Sequence, residues 1–194
     1  MIRELMYRVG IEIKRINPRP MILFVKENSK KNLIGVEIGT FRGYSAKSIM
    51  KTLSIKKLYC IDPYIEDYGD DNPYRSLSEA EEEAKNMLSK YKEVEFIKKT
   101  SDKAIKDIPD NLDFVYIDGN HDYKFVKRDI KNYFKKLKVG GVLGGHDFYN
   151  GLNPEHDGVV RAVLDIFKKH KLYIHYPDWW IIKSKEVKGN EKRI

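Results

Sequence analysis

The fold turns on GVEIGTFRGYSAKSI, residues 35–49. The stretch begins as a buried strand and ends as a helix, with Glu37, Gly39 and Gly43 between the two. A chain that turns this sharply at a strand end usually does so to bring its backbone close to something bound beyond the strand. Outward from it, short apolar segments recur at LIGVEIG (33–39), KLYCID (57–62), VEFIKK (94–99), DFVYID (113–118) and GGVLGGHD (140–147). KLYIHY (171–176) and WWIIKS (179–184) close the series. Near-continuous apolar runs fit strands covered on both faces, hence parallel pairing. Helical patterns fall between them. GYSAKSIMKTL follows the first strand, and SEAEEEAKNMLSKY opens with Ser78 and a run of acids. DYKFVKRDIKNYFKKL puts Val126, Ile130, Tyr133, Phe134 and Leu137 on one stripe, and DGVVRAVLDIFKKH does so with Val160, Val163, Leu164 and Phe167. Strands alternating with such helices argue for an open α/β domain. Only Pro177-Asp178 separates the last two strands, which allows nothing but a hairpin, so the final strand should run antiparallel.

A chain of 194 residues suits one domain with a substantial core. The longest apolar run, MILFV at 21–25, is far short of the ~20 residues that span a bilayer. The N-terminal stretch has charges scattered through it and no small-residue cleavage site, so a cytoplasmic protein with no membrane partner is expected. The single cysteine, Cys60, lies in an apolar strand and excludes an internal disulfide framework. With 37 Lys+Arg against 29 Asp+Glu the formal charge is +8. That excess is mostly lysine spread over helix faces and the tail, with no interleaving of aromatics and arginines, so nucleic acid is not the expected partner. Abundant Lys and Glu without glutamine also fits a thermophile's composition. The N-terminal stripe of Ile2, Leu5, Met6, Val9 and Ile13 could pack on its own sheet or on a second copy, leaving a homo-oligomer open.

In open α/β sheets ligands bind beyond the carboxyl ends of the strands. The first strand ends at Gly39, but GTFRG carries Phe41 where a dinucleotide fingerprint needs its middle glycine, and Glu37 would repel a pyrophosphate. A carboxylate beside a helix N-terminus bearing Ser45 suits a ligand with both an ammonium and a carboxylate, such as an amino acid. The second strand ends in Asp62, 23 positions beyond Gly39, near where an acid accepts ribose hydroxyls. An amino acid joined to a ribose describes S-adenosylmethionine.

These residues resemble the class I S-adenosylmethionine-dependent methyltransferases. EIGTFRGYSA is similar to the first motif of the catechol O-methyltransferase branch. DFVYIDGNHDYKFVKRDIKNYFKKLKVGGVLGGHDF resembles the small-molecule enzymes near macrocin O-methyltransferase and those of cephalosporin biosynthesis. The resemblance covers roughly residues 33–184, between an N-terminal helical extension (1–30) and a basic tail (185–194). It implies a single Rossmann-like domain with a seven-stranded, mostly parallel sheet of order 3-2-1-4-5-7-6, strand 7 antiparallel, and helices on both faces. Carried over by position, it makes Glu37, Gly39, Thr40, Phe41, Gly43, Tyr44 and Ser45 the lining for the methionine end and Asp62 the ribose ligand. Ser101 and Asp102 fall at the adenine, and Asp118 at the cofactor's reacting end.

The fourth and fifth strands deliver YIDGNHDY and GGHDFYN to the same rim. Asp118, His146 and Asp147 have the character of a divalent-metal site, and the resemblance implies magnesium; a histidine ligand would favour manganese, iron or zinc, and His146 could instead orient the acceptor without ligating. His121 falls on the family's base position, and an imidazole suits removal of a hydroxyl proton near neutral pH. Phe148 and Tyr149 could stack on a flat acceptor, and 63–78 could be a lid or a solvated loop. The expected activity is metal-assisted O-methylation of a small molecule. The rivals are an RNA or protein methyltransferase, a non-catalytic relative, and a hydroxylase-like relative holding iron.

Overall fold

The structure, a computed structural model, describes residues 18–65, 76–148 and 158–185. Its strands are β1 (Leu33–Ile38), β2 (Ile55–Ile61), β3 (Val94–Ile97), β4 (Leu112–Ile117), β5 (Leu137–Gly145), β6 (Tyr173–His175) and β7 (Asp178–Ile182). Its helices are α1 (Pro20–Asn28), α2 (Tyr44–Thr52), α3 (Leu77–Leu88), α4 (Ser101–Ala104), α5 (Tyr123–Lys136) and α6 (Gly158–Ile166). The whole N-terminal stripe, most of the segment 63–78, Tyr149, His156 and most of the basic tail lie outside the described residues.

The sheet has seven strands in the order β3-β2-β1-β4-β5-β7-β6. Pairing is parallel from β3 across to β5, and β7 runs antiparallel to both β5 and β6. His175 pairs with Asp178, so the hairpin link is Tyr176-Pro177, one residue earlier than the sequence suggested. The register explains the unbroken apolar runs. Val36, Val115, Leu143 and Ile181 align across four strands and belong to a core shared with α5 and α6. The next row, Phe114 and Val142, faces a second core containing Met21, Ile49 and Leu88 of α1, α2 and α3. Trp179 enters the first core and Trp180 the second, as alternation along a strand demands.

Local signals account for the helix boundaries. Pro20 occupies the first turn of α1, where its missing N–H costs nothing. Helix α3 starts earlier than its acids suggest: the cap is Ser76, whose Oγ accepts from Glu79 N at 3.3 Å, not Ser78. Helix α5 buries Val126, Ile130 and Tyr133 as its stripe predicts, and Leu137 passes directly into β5. The stripe also buries Asp129, a departure that the neighbourhood of α4 explains below. Among the described residues no helix is long and apolar enough to cross a membrane.

Candidate active site

Glu37 projects from β1 into full burial. Its Oε1 accepts a hydrogen bond from Ser45 Oγ in the first turn of α2, and its Oε2 has no hydrogen-bond partner. Burial pushes this carboxyl up to about 8, and the Ser45 bond offsets only part of that rise. Beyond it the chain turns through Gly39 at φ +90° and Gly43 at φ +78°. The neighbour that each glycine accommodates is the protein itself. A Cβ on Gly39 would lie 2.1 Å from the carbonyl oxygen of Asp118, and one on Gly43 would press on Ala84 and Leu88 of α3 at 3.2–3.3 Å. Gly39 thus lets the tips of β1 and β4 touch, which brings Glu37 and Asp118 into one site. Strain and overpacking together make Gly39→Ala cost about 4 kcal/mol, a loss that chemical denaturation would register as a lower midpoint at unchanged slope.

Asp62 stands at the neighbouring tip, beyond β2. Its Oδ2 accepts from Phe41 N at 2.8 Å and its Oδ1 from Tyr64 N at 2.9 Å. Tyr64, from the stretch 63–78 that the sequence offered as a lid or a solvated loop, donates its OH to Phe41 O at 2.8 Å. Phe41, at φ +46°, is therefore held from both sides. Thr40 is buried beside Glu37, whereas Tyr44 turns outward and donates to Glu83 of α3 at 2.6 Å.

Ser101 and Asp102, the expected adenine contacts, lie at the start of α4, where both meet Arg128 of α5. Ser101 is buried, and its Oγ donates to Asp129 Oδ1 at 2.6 Å and accepts from Arg128 Nη2 at 3.0 Å. Tyr133 OH donates to Ser101 O at 2.8 Å. Asp102 faces the Arg128 guanidinium at 3.4 Å. The Ser101 hydroxyl is thus committed to tying α4 to α5, and it is the reason α5 buries an acid. Burial raises the Asp129 carboxyl to about 6 despite its Ser101 and Arg128 partners.

The tips of β4 and β5 carry the remaining groups. Asp118, His121 and Asp147 each offer a ligand atom, all within 4.8 Å of one another. His121 Nε2 is 2.8 Å from Asp147 Oδ2, and His146 Nδ1 is 2.8 Å from Asp147 Oδ1. Burial works to raise the Asp147 carboxyl, but the two imidazoles outweigh it and hold the group well below the usual range. Asp118 Oδ1 lies 3.8 Å from His146 Nδ1, and loss of hydration lifts its carboxyl to about 6. Asp147 takes φ +61°, which aims both of its oxygens at histidines.

His146, the third expected ligand, stands beside this trio. Its Nε2 accepts from Nη1 of Arg19, the residue before α1, while its Nδ1 faces the two carboxylates. The trio with ligand geometry contains His121 where the sequence reading had His146. A narrow cleft adjoins it, walled by Val126, Val159 and Trp179 with Asp118, His121 and His146 on its polar side. Phe148 is buried in the core and does not offer its ring to an acceptor. Of the other histidines, His170 packs edge-on against Phe134 and Phe167, and His175 is exposed on β6.

A family described as methyltransferase domain matches residues 36–148, from β1 through the tip of β5. The chain belongs to this family. It is 34% identical over 148 residues to the uncharacterized protein R132 of Acanthamoeba polyphaga mimivirus, an alignment covering 71% of this chain and 62% of that protein. The chain therefore spans less than two thirds of that relative's length. In three dimensions it is similar to an rRNA methylase from Streptococcus thermophilus (TM-score 0.62, 17% identity, 90% of this chain and 99% of that one). It is also similar to an O-methyltransferase from Bacillus cereus solved with S-adenosylhomocysteine (TM-score 0.62, 14% identity, 94% and 89%). Both likenesses concern the fold, which is that of the class I S-adenosylmethionine-dependent methyltransferases. The family's matched segment holds Glu37, Asp62, Asp118, His121 and Asp147, and leaves Arg19 outside.

The residues present fit the cofactor that this fold implies. Glu37 Oε2 is a buried carboxyl oxygen with no protein partner, an arrangement that costs free energy unless a cationic donor arrives. Asp62 presents a second carboxyl one strand away, close enough to raise the Glu37 carboxyl further. For a divalent ion the carboxylates of Asp118 and Asp147 supply hard oxygen donors, which fit magnesium as well as manganese.

Proposed function

We propose that this methyltransferase domain transfers the methyl group of S-adenosylmethionine to a hydroxyl of a small molecule. The observation that carries the reading is the contact of the β1 and β4 tips, which sets an orphaned buried carboxyl beside an Asp-His-Asp cluster. Glu37 receives the amino end of the cofactor, Ser45 and the N-terminus of α2 stand by its carboxylate, and Asp62 accepts ribose hydroxyls. When bound, the cofactor supplies an electrophilic methyl on a sulfonium leaving group. His121, whose Nε2 lies 2.8 Å from Asp147 Oδ2, takes the acceptor's hydroxyl proton as its oxygen bonds to carbon. Asp118 and Asp147 would hold a divalent cation, which lowers the pKa of a chelated hydroxyl. Alignment in a water-poor site supplies the rest of the acceleration.

Titration calorimetry with S-adenosylhomocysteine tests the cofactor half: micromolar binding, unchanged by a chelator, is expected. Methyl release from labelled cofactor onto a catechol-like acceptor should disappear with chelator and return with manganese. Absence of heat with the demethylated product would remove the reading altogether. The likeness to an rRNA methylase and the net charge of +8 make RNA the second acceptor to assay. Label appearing in RNA at higher efficiency than in any small hydroxyl would replace the small-molecule assignment.

A further inference from the structure

Arg19 has no role in the reading above, yet its guanidinium sits against His146. Its position is fixed by the way α1 is docked. Met21 N donates to Asp178 Oδ2 at 3.1 Å, and Tyr116 OH donates to Asp178 Oδ1 at 3.1 Å. Asp178 is fully buried at the start of β7, so this anchor is shielded from water and holds the start of α1 over the tips of β4 and β5. Arg19, half-buried and two residues before Met21, is thereby delivered to the rim.

The chemistry of the contact is decisive for His146. A guanidinium has donors only, so an imidazole nitrogen facing it must be an unprotonated acceptor. A neutral imidazole with Nε2 unprotonated carries its hydrogen on Nδ1. Nδ1 is the atom that faces Asp147 Oδ1 at 2.8 Å, so His146 donates there. Asp147 in turn accepts from His121 through its other oxygen, at 2.8 Å. The four groups form one directed series: Arg19 to His146, His146 to Asp147, and His121 to Asp147 from the far side.

We propose that Arg19 is a positioning residue that locks His146 as the Nδ1–H tautomer, so that His146 steers Asp147 and does not ligate a metal. The inference deepens the catalytic reading and rests on it for its effect on turnover, but not for the tautomer itself. Without Arg19, His146 can put its proton on Nε2 and turn a lone pair toward Asp118 and Asp147. Two carboxylates and a lone pair in one place repel, and Asp147 loses one of the two donors that aim it.

The test uses the full-length chain, labelled with 15N at histidine, with long-range proton–nitrogen correlation at neutral pH and no metal added. His146→Asn assigns the resonance. Wild type should show His146 with Nδ1 protonated and Nε2 bare. Arg19→Met, which keeps the length and removes every donor, should move the proton to Nε2 in most molecules, and Arg19→Lys should restore the wild-type pattern. Under the same substitutions kcat should fall about 10- to 100-fold in Arg19→Met and recover in Arg19→Lys, with S-adenosylhomocysteine affinity unchanged. Thermal denaturation of Arg19→Met identifies a variant that has failed to fold, in which case the wild-type spectrum alone decides. Nε2 protonated in wild type, or a tautomer indifferent to Arg19→Met, overturns the proposal. The expected tautomers without any methyl transfer would leave it standing and remove the catalytic reading instead.

Discussion

Glu37→Gln is expected to stabilise the unliganded protein while weakening its hold on the cofactor. The carboxyl is raised to about 8 in the folded chain by burial, against about 4.5 when unfolded. Below pH ~4.5 both states keep the proton and the group contributes no penalty. As pH rises through 4.5 the unfolded chain releases it while the folded chain does not, so folding stability falls steadily until about pH 8. Over that window the loss amounts to roughly 5 kcal/mol, since each unit is worth about 1.4. Glutamine keeps the shape and removes the ionisation, so the variant's stability should stay nearly flat across the window and exceed wild type most at pH 8. Denaturant titrations at pH 4.5, 6 and 8 measure this directly. Parallel pH profiles for the two proteins would show that Glu37 ionises freely. The cofactor should also expel the Glu37 proton on binding, because its ammonium favours the carboxylate. Calorimetry in buffers of different ionisation enthalpy should report release of close to one proton at pH 7 in wild type and none in Glu37→Gln.

Asp147→Asn should give the largest catalytic loss. The carboxylate serves both histidines at 2.8 Å, and it is one of the three groups within ligand distance of one another. Asparagine offers one acceptor where there were two and turns an N–H toward an imidazole that already donates. The base His121 would then lose its orientation, and kcat should drop by about 10² to 10⁴. S-adenosylhomocysteine should bind as before, because Glu37 and Asp62 lie on other strands. An equal loss of product affinity would mean that Asp147 serves the cofactor and not the reacting end.

How much of this was legible in the amino acids depended on the range of the contact. The blocks of apolar residues identified the buried strands, because a strand covered on both faces has no polar side. Pro177 limited the last link enough to fix the direction of β7. The strand order came from the resemblance, and hydrophobic periodicity could not have supplied it. Asp62, Asp118, His121 and Asp147 follow strands, so parallel pairing alone gathers them on one rim. Arg19 gave no signal: its partner lies 127 positions away, and NPRP marks only a helix start. Ser101 and Asp129 are separated by 28 positions, and nothing in a helical stripe foretells that an acid at its centre has a hydroxyl waiting across the gap. The glycines were read as clearances for a ligand, and the third dimension assigned them to β4 and α3.

The two tryptophans, adjacent in sequence, make the chain its own optical gauge. Trp179 borders the cleft beside His146, whereas Trp180 stacks on Tyr173 with ring planes 2° apart in the opposite layer. Whatever reaches His146 through the cleft meets the first indole and not the second, so the emission of a Trp180→Phe variant would report occupancy without an attached dye.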